Sequence, residues 1–140
     1  MSKQQRGVTL IELMVVIAVL GIIIALGYPS YRDQVMKARR AEGMGELLEL
    51  ADKLERYFSD QVPGTYAGAT LGTAATNIHT AYTADGHYLL NIDSADAVSF
   101  TVRATPQGGQ ANDKCGIFIV DSLGNQSLSG NSIGVDQCWK

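Results

Sequence analysis

An apolar stretch near the start of the chain constrains everything that follows it. Residues 13–31 carry no charged side chain, and at about nineteen residues they approach the roughly 20 that cross a bilayer as a helix. One carboxylate, Glu12, stands at the head of this run, within Arg6-Gly7-Val8-Thr9-Leu10-Ile11-Glu12-Leu13. A charged side chain at the centre of a membrane helix costs about 2.5–3.5 kcal/mol on insertion scales, and less near the interface. An acid kept there marks a functional position in need of a partner. Setting aside the first forty of the 140 residues leaves about a hundred, enough for one small core that would benefit from a staple. The chain therefore divides into a membrane-length helix and one globular domain.

Three readings of the N-terminal segment compete. A secretory signal would have the basic Lys3 and Arg6, the apolar core, and small residues such as Ala25 and Gly27 near a cut. Glu12 interrupts that pattern, and the helical periodicity continues past residue 30. A plain transmembrane anchor explains the length but not the acid. In the third reading Gly7 ends a short basic leader, and cleavage after it creates a new amine on Val8. Val8 and Glu12 are one helical turn apart, so amine and carboxylate share a face. Glu12 can then neutralise that amine or the amine of a neighbouring chain. An unpaired charge is far more costly than a paired one at low dielectric, so packed helices of this kind would use the pairing to set register.

Gly-Val-Thr-Leu-Ile-Glu-Leu-Met-Val-Val, residues 7–16, resembles the processing site of type IV prepilins. The resemblance implies that a membrane peptidase cuts after Gly7 and N-methylates Val8, and that Glu12 guides insertion into a filament. Val8 departs from the phenylalanine usual in the family. Further along, Gly21, Gly27 and Pro29 weaken the helix, the proline by removing a backbone hydrogen bond. In pilins the matching stretch loses helicity when subunits pack, and the resemblance implies the same for residues 21–29.

Beyond the apolar run, Met44, Leu47, Ala51, Leu54 and Phe58 recur in steps of three and four and form one apolar stripe. The stripe predicts an amphipathic helix over 32–58 that packs on a globular core. Glu49 with Lys53 and Asp52 with Arg56 are i,i+4 pairs for its wet side, whereas Gly43 and Gly45 weaken it. Residues 59–86 have no strong periodicity and read as a connecting loop, an interaction surface in a compact domain. Strands follow at 87–93, at 97–105 with Val98, Phe100 and Val102 alternating against polar residues, at 116–122, and at 126–128, separated by Gly- and Pro-containing turns. The expected fold is α+β, with one long N-terminal helix packed on an antiparallel sheet of about four strands.

Cys115 and Cys138 flank a Gly/Ser/Asn-rich segment. In an exported protein they read as one disulfide, worth roughly 3 kcal/mol on the chain-entropy model. Two free thiols in a cytosolic protein are the alternative, and the membrane-length segment weighs against it. Arg32, Lys37, Arg39 and Arg40 cluster just past that segment. The positive-inside rule would put this side in the cytoplasm, while a disulfide demands an oxidising compartment. The resemblance agrees with the cysteines, because pilins keep the leader inside and the globular domain in the periplasm. The basic cluster then reads as a face for headgroups or neighbouring subunits, or as a solvated helix face.

Tyr28-Pro29-Ser30-Tyr31, Arg39-Arg40-Ala41-Glu42, Glu55-Arg56-Tyr57-Phe58, Ala104-Thr105-Pro106-Gln107-Gly108, Asp113-Lys114-Cys115-Gly116 and Cys138-Trp139 are similar to the minor pilin E group of the type IVa system. The resemblance implies a minor pilus subunit that supports pilus assembly, twitching motility, adhesion or DNA uptake. It implies as partners other major and minor pilins, the inner-membrane assembly machinery, prepilin peptidase, and lipid before assembly. The implied path runs from a single-pass inner-membrane precursor to the cell-surface pilus. A type II secretion pseudopilin and a DNA-uptake receptor pilin are the other candidates. The net charge is −3 and only Arg103, Lys114 and Lys140 are basic beyond Arg56, which weighs against a nucleic-acid partner. No nucleophile–base order, Cys-x-x-Cys pair or phosphate loop is present, so no enzyme and no cofactor is expected. His79 and His87 read as surface polar groups, and Asp113, Asp121 and Asp136 fit no calcium-ligand spacing, so no metal is expected either.

Overall fold

The computed structural model describes residues 7–140. Of the leader expected over residues 1–7, all but Gly7 lies outside the described residues. The chain divides into two compact units, Met1–Val35 and Met36–Lys140, and one helix, α1 (Leu10–Asp60), contributes to both. In the first unit its residues from 10 to 34 are exposed, as expected of a surface made for lipid or for neighbouring helices. It is the one helix long and apolar enough to cross a membrane among the described residues. Helical geometry continues through Gly21, Gly27 and Pro29.

In the second unit the α1 residues Gly43, Leu47, Leu50 and Leu54 are buried, with Met44, Ala51 and Phe58 half-buried beside them. The expected stripe is thus the packing face, widened by Leu50. The i,i+4 pairs form on the wet side, Glu49–Lys53 at 2.8 Å and Asp52–Arg56 at 2.9 Å. That face lies on four strands: β1 (Tyr88–Ala95), β2 (Phe100–Pro106), β3 (Ile117–Asp121) and β4 (Gln126–Ser129). They pair consecutively and antiparallel in the order β1-β2-β3-β4. Register aligns Leu90, Ala104, Phe118 and Leu128 across the sheet, so one side chain per strand enters the same row. Phe100, Val102 and Ala104 of β2 point to the core between half-buried Thr101, Arg103 and Thr105. A short helix, α2 (Val135–Cys138), ends the chain, and the Cys115–Cys138 disulfide (S–S 2.08 Å) ties it to the turn before β3.

The expected β2 start at residue 97 is too early. Asp96 Oδ1 accepts the amides of Val98 and Ser99 at 2.9 and 2.8 Å, closing a tight turn that leaves Val98 81% exposed. The side-chain acceptor outcompetes the sheet ladder for those donors.

Gly43 and Gly116 are among the glycines that close approach requires. A Cβ on Gly43 would lie 2.7 Å from Tyr88 Cδ2, because the tyrosine ring is seated against the helix backbone there. Gly116 combines φ of +63° with Ser129 and Gly130 backbone pressed against the position of its missing side chain. Gly45, by contrast, faces open space. The two helical glycines should therefore respond oppositely to alanine. Gly45→Ala gains about 0.8–1 kcal/mol of helix propensity, whereas Gly43→Ala overpacks the tyrosine and loses about 1–3 kcal/mol. Urea unfolding of the full chain in detergent micelles, followed by near-UV circular dichroism, separates the two.

Candidate functional site

The N-terminal motif forms a compact hydrogen-bonded cap. Gly7, Val8 and Thr9 precede the helix, which begins at Leu10. Glu12 Oε2 accepts both the Thr9 amide and the Thr9 hydroxyl at 2.8 Å, and the Glu12 amide donates to Thr9 Oγ1 at 3.3 Å. This is a capping box, with threonine at the N-cap and glutamate at the third helical position. In the uncut chain this cap engages the carboxylate and leaves Val8 just ahead of the helix. The Thr-x-x-Glu spacing is the sequence signal for this cap. Val8, Leu10 and Ile11 are exposed around the cap.

Gly21 and Gly27 have nothing within 4 Å of the position a Cβ would take. Tyr28 and Tyr31, on either side of Pro29, are also well exposed. Nothing inside the subunit accounts for the choice of these residues.

In the second unit, Arg40 and Asp113 form a bidentate pair, with Arg40 Nε 2.7 Å from Asp113 Oδ2 and Arg40 Nη2 on Oδ1. The aspartate side chain is fully buried and the arginine nearly so. Gln110, also fully buried, directs Nε2 at Asp113 Oδ2 (3.0 Å), the Tyr88 hydroxyl (3.1 Å) and the Met36 carbonyl (3.2 Å). Arg40 thus belongs to an internal lock and departs from the expected basic surface cluster. Asp113 is likewise no simple turn residue. A pairwise sequence reading had no means of placing a residue of α1 against one seventy-three positions later. Beside this lock, Lys37, Arg40, Ala41, Met44, Gln137, Cys138 and Lys140 line a groove of about 270 Å³.

The remaining candidates separate. Asp121 closes the β3–β4 turn by accepting from Asn125 Nδ2 and the Asn125 and Leu123 amides, each at 2.9 Å. Those bonds hold its carboxyl below the usual range. Asp136 lies in the first turn of α2, so the three aspartates have separate roles. His87 lies near Glu42 and Asp85. His79 is buried, contrary to the expected surface role, because the loop folds it under residues 71–72 with a Gly72 amide to His79 carbonyl bond of 2.9 Å.

A helix laid on a four-stranded antiparallel meander, extended by a membrane-length apolar segment with an acid at its head, defines a filament-forming pilin. Comparison with known proteins agrees. Residues 29–119 match the family described as type IV minor pilin ComP, DNA uptake sequence receptor, and residues 2–28 match the prokaryotic N-terminal methylation motif. The chain is 30% identical to a fimbrial protein of Dichelobacter nodosus over 98% of its own length and 83% of that protein. It is 39% identical to the fimbrial protein EcpC of Eikenella corrodens over 54% of its length and 50% of that protein. The fold matches the non-core minor pilin PilV of Neisseria meningitidis with a TM-score of 0.55, at 18% identity, over 72% of this chain and 93% of that one. The chain belongs to the type IV pilins, in the ComP minor-pilin family, and is a type IV pilin subunit.

The lock has a titration signature. Burial pushes the Tyr88 phenol up to about 12, with Asp113 adding to the rise against the Gln110 hydrogen bond. The folded state holds the neutral phenol, so this contribution is complete below the ordinary tyrosine value near 10 and is lost as pH rises through about 12. Absorbance at the phenolate band should show Tyr88 ionising late, alongside Tyr66, which burial and Glu55 also push up, and Tyr88→Phe should remove one tyrosine's share of the late change.

Proposed function

We propose that the chain is a pilus subunit cut after Gly7, methylated on Val8, and registered in the filament by Glu12. The observation that supports this most directly is an acid at the head of an uncovered, membrane-length apolar helix, satisfied locally by Thr9 while no other subunit is present. Cleavage exposes a Val8 amine close to that carboxylate, and a neighbouring amine then competes with the neutral Thr9 donors through a charge-assisted bond. Gly21, Gly27 and Pro29 fit the same reading: their helix-weakening character has no use within the subunit and would act when helices pack. The periplasm is the compartment for the globular unit, since the Cys115–Cys138 bond requires an oxidising environment. Before assembly the helix is anchored in the inner membrane, where prepilin peptidase and the assembly machinery would act on it. Major and minor pilins are then its neighbours in the filament.

The N-terminus and mass of protein recovered from membranes and from sheared pili test this. The expected product begins at N-methylated Val8, Gly7→Leu accumulates uncut, and Glu12→Ala is cut but stays in the membrane fraction. A product beginning near Tyr28 overturns the proposal.

A second reading is that the globular unit binds DNA. It draws on the ComP family match and on the groove carrying Lys37, Arg40 and Lys140. Arg40 is already neutralised by Asp113, so the available charge comes from the two lysines. Fluorescence anisotropy with duplex DNA across a salt series should then give a shallow slope of about −2 in log–log form. Replacing Lys37 and Lys140 together by Gln should abolish that slope, and equal binding by this variant rules out the groove.

A further inference from the structure

We propose that Glu46, Glu49 and His79 form a binding site for a divalent transition-metal ion that clamps the loop of residues 61–87 to α1. The case starts from the protonation of His79. Its Nδ1 lies 3.0 Å from the Thr80 carbonyl and 3.2 Å from Thr80 Oγ1. The Thr80 hydroxyl is committed as a donor to the Tyr82 carbonyl at 2.9 Å, so Nδ1 faces two acceptors and must carry the hydrogen. A neutral ring then has its lone pair on Nε2. The His79 side chain is only 4% exposed, and Nε2 is buried without a hydrogen-bond partner. It lies 3.3 Å from Glu46 Oε2 and 3.8 Å from Glu49 Oε1.

A lone pair held against two carboxylates is repulsive unless a cation lies among them. The ligand atoms all fall within 4.8 Å of one another. A tetrahedral centre with bonds of about 2.0–2.2 Å puts its ligands roughly 3.3–3.6 Å apart, so small carboxylate movements complete the set. A histidine ligand whose other nitrogen donates to a backbone carbonyl is the usual second shell of such centres, since that bond fixes the tautomer and aims the ring. One imidazole with two carboxylates suits a borderline ion such as zinc over calcium, which prefers oxygen alone. Glu46 and Glu49 are i,i+3 on one helix face. Glu49 is half-exposed and shares its Oε1 with Lys53 at 2.8 Å, so it forms the solvent side through which an ion enters, displacing the lysine. The bound ion would add a further tie between α1 and a loop already joined to it through Tyr66 to Glu55, Tyr57 to the Ala67 carbonyl and the Asp85 amide to Glu42.

Chelator-stripped full chain in detergent micelles, dialysed against Zn2+ at about pH 7.5 where a histidine ligand is deprotonated, provides the test. The expected result is a single saturable site together with a raised unfolding midpoint. His79→Gln and Glu46→Gln should each weaken binding by about tenfold or more, and His87→Gln, in the other His/carboxylate group, should leave it unchanged. Should His79→Gln fail to fold, Glu46→Gln on the helix surface carries the comparison. Nitrogen NMR of the wild-type imidazole then reports whether Nε2 binds the ion. No saturable binding, binding indifferent to Glu46→Gln, or an Nε2 still protonated at saturating zinc would each overturn the proposal. The last outcome would make the cluster an imidazolium–carboxylate pair.

Discussion

The globular unit is organised by the buried pair of Arg40 and Asp113. Two charges removed from water cost several kcal/mol each before their attraction is counted, and such a pair is favourable only when its remaining lone pairs and hydrogens are also satisfied. Here the guanidinium engages both carboxylate oxygens, and Gln110 reaches one of them while also facing the Tyr88 hydroxyl and the Met36 carbonyl. The geometry therefore fixes more than one contact. It sets the path of the segment from Gln107 to Gly116 over α1, which in turn places Cys115 where Cys138 can reach it. Tyr88 enters the same network from β1, and its ring takes the space that Gly43 leaves on the helix. Helix, first strand, the β2–β3 connection and disulfide are held to one arrangement by groups that an apolar core alone would leave free to slide. Removing either charge strands the other, which typically costs about 3–5 kcal/mol.

Much of this architecture could be read from periodicity. A period of two located β2, an apolar run between turns located β3, steps of three and four located the buried face of α1, and turn residues separated the strands. These signals are local, and they fail where a side chain competes with the backbone: Asp96 takes the amides that would have extended β2, and Thr9 with Glu12 decides where α1 begins. They also fail where contact depends on distant segments. Arg39-Arg40-Ala41-Glu42 and Asp113-Lys114-Cys115-Gly116 were visible as separate strings, and only the folded chain shows that Arg40 and Asp113 meet. Gly43 made sense once Tyr88 was placed over it. His79 carried no signal of burial, since its loop has neither period nor motif, and its surroundings come from α1 residues more than thirty positions earlier.

The glycines divide according to what surrounds them, and that division bears on where selection acts. Gly43 and Gly116 are demanded by neighbours inside the globular unit, where a methyl group would meet a ring or a carbonyl. Gly21 and Gly27 meet nothing, and glycine there weakens the helix by about 1 kcal/mol apiece relative to alanine. Pro29, in the same segment, adds a missing backbone hydrogen bond. A sequence that retains three such residues in a helix with no internal contacts accepts a loss of subunit stability without an offset inside the subunit. Two offsets are physically available. Small residues allow helices to approach closely in an apolar medium, and a weakened ladder lowers the cost of leaving helical geometry. Both operate only between molecules, as does the pairing proposed for Glu12. On the proposed reading the apolar unit answers to contacts between subunits, whereas the globular unit answers to its own interior.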